Sequence, residues 1–131
     1  MEVYTSAFSN IVFESEKKLL IVSWHKNSHK LAEEGVKSEI SKILDCLGSL
    51  EVENIIVDSR EYSFRGNDKI QTWINFSFMP LIAKTPVKKY GIILATQYTN
   101  RSTDNHEDNN EDQLLVEYFT TLEEAIHWIR P

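Results

Sequence analysis

A single cysteine, three prolines and four widely spaced glycines leave little from which to build several familiar kinds of site. With Cys46 alone, the chain can form neither an internal disulfide nor a multi-cysteine metal motif. The glycines at 35, 48, 66 and 91 stand too far apart to make a phosphate-cradling loop. There is no Gly-x-Ser-x-Gly elbow, and Cys46 has no base beside it in sequence. Positive charge is also scarce. Fourteen Lys and Arg against 20 Asp and Glu give a net charge of −6. Phosphate backbones and anionic membrane surfaces both recruit basic side chains, so nucleic acid is not expected as a partner and neither is a membrane surface. No apolar run approaches the roughly 20 residues of a membrane span. The start, Met-Glu-Val-Tyr-Thr-Ser, lacks the basic-then-apolar pattern of a signal peptide. A soluble, cytoplasmic protein is expected by elimination.

What remains is ordinary globular material, 41% hydrophobic and 26% charged over 131 residues, which fits one domain spanning 1–131. Ile11 to Ser15 and Lys18 to Trp24 read as an antiparallel hairpin around the polar tetrad Glu14-Ser15-Glu16-Lys17. An edge strand is also expected before Ser9. The second hairpin strand, Leu19-Leu20-Ile21-Val22-Ser23-Trp24, is apolar enough for the sheet interior. A helix follows from His29 to Leu47, capped by Asn27 or Ser28 and ended by Gly48. It carries Ala32, Val36, Ile40, Ile43, Leu44 and Leu47 on one face.

Asn54 to Asp58 then reads as a strand buried on both faces, because Ile55-Ile56-Val57 has no polar alternation. Strand, helix and strand together predict a parallel crossover. A second helix, capped by Asn67 or Asp68, points Ile70, Trp73, Ile74, Phe78 and Leu81 inward. Pro80 predicts a kink or break near Phe76 to Met79. Lys89 to Thr96 and Leu114 to Phe119 are further strands. Thr121 to Glu124 is a capping box for a closing helix with Leu122, Ala125, Ile126 and Ile129 inward. The expected fold is α/β: a mixed, mostly parallel sheet with an N-terminal antiparallel hairpin and helices packed against it.

Candidate chemistry is thin. His25 and His29 are four apart, but His25 precedes the helix and no zinc-hydrolase pattern follows. The acidic stretch Asp104 to Asp112 lacks the central glycine and closing glutamate of a calcium loop. Asp58, Ser59, Arg60 and Glu61 form the best-placed polar cluster, at the strand's carboxyl end, where open α/β sheets place their ligands. Asp58 there could serve as a base, or shape the loop by accepting local hydrogen bonds; the second role is favoured, as no second catalytic group accompanies it. Neither metal nor cofactor is expected.

Several segments together resemble the STAS-like superfamily, in particular the bacterial SpoIIAA-like group related to anti-sigma-factor antagonists. They are the hairpin ending Ile21-Val22-Ser23-Trp24, the strand Ile55-Ile56-Val57-Asp58 and the helix start Asp68 to Trp73. Val87-Lys88-Lys89-Tyr90-Gly91-Ile92-Ile93 and the tail Tyr118 to Ile129 complete the set. The resemblance implies binding or regulation without catalysis. Antagonists of that family present a phosphorylatable serine at the start of the helix after the buried strand. Here the comparable stretch is Arg65-Gly66-Asn67-Asp68, with no serine in it.

The expected function is therefore a non-enzymatic domain that binds another protein or a second copy of itself as a homodimer. Its expected surface comprises Asp58, Ser59, Arg60, Arg65, Asn67, Trp73, Phe76 and Met79. The alternative is a small apolar ligand or lipid held among Trp24, Trp73, Phe76 and Phe78.

Overall fold

A computed structural model of the chain describes residues 2–61, 72–94 and 114–129, apart from the His29 side chain. Six strands lie in chain order across one sheet: β1 (Glu2–Thr5), β2 (Ser9–Glu14), β3 (Leu19–Trp24), β4 (Asn54–Asp58), β5 (Lys89–Ile93) and β6 (Leu115–Phe119). β1 to β3 pair antiparallel, and β3 to β6 all run parallel. The fold is therefore α/β with a mixed sheet, the expected antiparallel hairpin at its N-terminal side.

Side chains alternate across a strand, so each strand feeds two cores. Leu20, Val22, Ile55, Val57 and Tyr90 face α1 (Glu33–Ser49), which answers with Val36, Ile40 and Ile43, and Phe78 and Ile82 join the same core. Leu19, Ile56 and Ile93 face the other way, against Ala125 and Ile129 of α3 (Leu122–Ile129). β4 is covered on both sides, which is why Ile55 and Ile56 are fully buried with no polar partner between them. Tyr90 is also buried, and burial pushes its hydroxyl well above the usual tyrosine pKa.

Three local expectations need correction. The first helix is not capped by Asn27 or Ser28. Those residues belong to a 3-10 turn, Lys26–Lys30, in which the Ser28 N–H donates to the His25 carbonyl and the Leu31 N–H to the Ser28 carbonyl. The α-helix starts after Ala32, which is exposed and offers no side-chain cap; Glu33 and Glu34 in the first turn face the positive end of the helix dipole instead. At Gly35 a Cβ would sit 2.8 Å from Leu31 Cδ2, so a larger residue there would require the Leu31 side chain to shift. At the other end Gly48 lies inside the helix, which closes when the Leu50 N–H reaches the Cys46 carbonyl.

The second correction concerns Leu81, just past the irregularity expected at Pro80. The chain does not leave helical space there. It forms a π-helical turn, Ile74–Phe78, that runs into α2 (Met79–Ala83). The Met79 N–H donates to the Ile74 carbonyl, five residues back. Proline cannot donate to the carbonyl four residues back and its ring crowds it, so the wider turn accommodates both problems. Phe78 keeps its expected inward place, and the difference falls after the turn, at Leu81 and Ile82. Phe78 and Ile82 are buried, whereas Leu81, expected inside, is 46% exposed.

The third lies at the capping box. The Thr121 hydroxyl accepts the Glu124 N–H at 3.2 Å, but the Glu124 carboxylate accepts from the N–H and hydroxyl of Thr120, one residue before the expected partner. At the far end of α3, Lys89 Nζ donates to the Trp128 carbonyl at 2.8 Å, placing a cation where the helix dipole is negative.

Candidate functional site

β4 ends at Asp58, and the chain turns there. The Asp58 carboxylate accepts the Arg60 backbone N–H at 3.2 Å, a side-chain-mimicked turn, and both Nε and Nη2 of the Arg60 guanidinium at 2.9 and 2.7 Å. Burial alone would raise the Asp58 carboxyl pKa. The side-chain and backbone hydrogen bonds from Arg60 and its charge outweigh that and hold it below the usual value. Asp58 therefore spends its acceptor capacity on its own loop. The Ser59 N–H donates to the Ile93 carbonyl, which ties this loop to the end of β5. Ser59 is half-buried.

The helical half of the expected surface divides sharply. Trp73 is half-buried against the main core, stacks on Phe78 with ring centroids 6.2 Å apart, and carries Lys37 Nζ 5.7 Å from its ring centre. Met79 is likewise half-buried against the core. Phe76 is 78% exposed. Of the four aromatics considered for an apolar ligand, Trp24 and Phe78 are thus core residues and Trp73 is largely engaged. Among the described residues no hydrogen bond joins the Asp58–Arg60 pair to Trp73, Phe76 or Met79. Arg65 and Asn67 lie outside the described residues.

Two arrangements escaped the sequence reading. Glu39 of α1 accepts from the Tyr4, Ser6 and Ser9 hydroxyls of the opening strands and the turn between them. No local pattern announces it, since the partners are at least 30 residues away. An open groove also lies between β6 and α3, lined by Tyr118, Phe119, Glu123, Glu124, His127 and Trp128. The spacing of Glu123 and His127 on one helix flank was its only sequence signal.

Among the described residues, no three His, Cys, Asp or Glu side chains gather where they could hold a metal ion, and no helix is long and apolar enough to cross a membrane. No family model, curated protein or solved structure matches the chain.

Proposed function

We propose that this chain is a non-enzymatic binding or regulatory domain of the STAS-like, SpoIIAA-like kind, acting through contact with another protein or with its own copy. The observation that carries the reading is Phe76, a large aromatic held 78% exposed on a helical turn in which Phe78, two residues on, is buried. Fully covering such a side chain is worth about 1.5–3 kcal/mol, a substantial anchor for a small interface. The antiparallel opening strands followed by parallel ones, with helices on the sheet, also support the kinship. Asp58 and Arg60 form a self-satisfied loop. Their pairing favours a structural role for Asp58 over a base.

The test is sedimentation velocity over a concentration series, with cross-linking from a photoreactive residue placed at position 76. Phe76→Ser is expected to weaken self-association or the cross-linked partner while leaving the melting temperature in place. Unchanged sedimentation and cross-linking would remove Phe76 from the reading. Added mass retained in native mass spectrometry, with no association, would favour a small apolar ligand or lipid instead.

A further inference from the structure

We propose that the outer edge of β6 receives an extended, basic segment of another protein as a seventh strand. The two edges of the sheet differ. β1 pairs with a register shift between Glu2 and Tyr4, an irregularity that blunts an edge against further pairing. β6 is regular through all its pairs with β5, from Lys89–Leu115 to Ile93–Phe119, and contains neither proline nor lysine. The Leu115 N–H donates to the Lys88 carbonyl and the Phe119 carbonyl accepts from Leu94. Backbone groups alternate in direction along a strand, so Leu115, Glu117 and Phe119 point theirs at β5. Val116 and Tyr118 point theirs outward. Among the described residues no strand lies beyond β6.

The chemistry of the occupant follows from what flanks that edge. Leu115 is 57% and Tyr118 37% exposed, offering apolar contact on opposite faces. On the α3 side the edge meets Glu117 and then the groove with Glu123, Glu124 and the Phe119–Trp128 ring pair. Glu124 is engaged with Thr120, but among the described residues neither Glu117 nor Glu123 has an ion-pair partner. An incoming strand with Lys or Arg at alternate positions would set its cations against these carboxylates, and its apolar residues against Tyr118 and Val116. A second copy of β6 fits poorly, because antiparallel pairing centred on the strand sets Glu117 against Glu117. The inference does not depend on Phe76.

The probe is an eight-residue peptide of alternating lysine and valine, titrated against the full chain by fluorescence anisotropy. Binding is expected, weakening as salt rises, and at least tenfold weaker for Glu117→Lys/Glu123→Lys. The same peptide N-methylated at alternate residues, which cannot donate to β6, is expected not to bind; this arm leaves the protein unaltered. Val116→Pro, which removes an outward N–H without touching the β5 ladder, is expected to do the same. Absence of binding, or binding indifferent to N-methylation or to the charge reversal, overturns the proposal. So does a wild-type dimer that Val116→Pro disperses, since that would make the occupant a second copy.

Discussion

Ser9 donates its hydroxyl to Glu39 across 30 residues of sequence, at 2.6 Å. The same carboxylate accepts from Ser6 at 3.0 Å and from Tyr4 at 2.9 Å, so one side chain of α1 holds both β1 and the β1–β2 turn. Ser9 is only 2% exposed. Hydrogen bonds to a charged group are worth about 1.5–3 kcal/mol, and removing the acceptor strands a buried donor. Glu39→Ala should therefore cost about 2–4 kcal/mol in urea denaturation. Glu39→Gln, which keeps one acceptor oxygen, should cost less. Equal losses for the two variants would show that the side chain's packing, and not its acceptors, secures the hairpin.

The Asp58–Arg60 pair gives a pH dependence with a definite sign. The folded carboxyl titrates below the unfolded value of about 3.9, so its contribution is fully present above that value. It is lost as pH falls through the folded pKa. Arg60 is 41% exposed and the pair is screened by solvent, so the contribution should stay below about 1 kcal/mol. Asp58→Asn should be slightly less stable than wild type at pH 7, with the gap closing below pH of about 4. A gap that widens in acid would mean the carboxyl is held above its unfolded value.

How far the sequence led depends on the range of the interaction. Ile55-Ile56-Val57 announces a doubly covered strand because its reason is local, a β-branched run without alternation, and β4 is that strand. The inward stripe of α3 was legible in the same way, with Ala125 and Ile129 buried. The start of α1 was misread because Ser28, a good cap by type, is consumed by the 3-10 turn before it. Nothing near Glu39 in sequence points to Tyr4 or Ser9. Of the expected surface, Phe76 was identifiable as lying off the apolar stripe. Trp73 packs against the core as its place on the inward stripe implies, whereas Met79, off that stripe with Phe76, is claimed by the core through contacts that helical spacing alone does not reveal.

Gly91 tests the packing of α3 on the sheet. A Cβ at that position would meet the Phe119 ring at 3.4 Å and Trp128 at 3.6 Å, with no positive backbone angle involved. Alanine just fits, so Gly91→Ala should change stability by less than about 0.5 kcal/mol, contact and chain entropy roughly offsetting tightness. Valine adds two methyl groups where the rings already sit. Gly91→Val should cost about 1–3 kcal/mol and should disturb the Phe119–Trp128 pair, seen as a change in near-ultraviolet dichroism. Tolerance of valine would mean that α3 is loosely seated.

The π-helical turn makes the strongest stability prediction, because it reverses the order that α-helical spacing implies. A regular helix carrying Trp73, Ile74 and Phe78 inward would centre Leu81 on that stripe and leave Ile82, four residues after Phe78, at its edge. The wider turn before Pro80 does the opposite: Ile82 is fully buried beside Phe78, and Leu81 is exposed. Ile82→Ala should therefore cost about 2–5 kcal/mol, the usual range for emptying a buried aliphatic site, and Phe78→Ala about 3–5 kcal/mol. Leu81→Ala and Phe76→Ser should each stay within about 0.5 kcal/mol, since neither vacates packed volume. Chemical denaturation of the four variants reads the register directly. A larger loss at Leu81 than at Ile82 would mean that the helix keeps ordinary α-helical spacing through Pro80, and it would place Phe76 on a different face from the one proposed for binding.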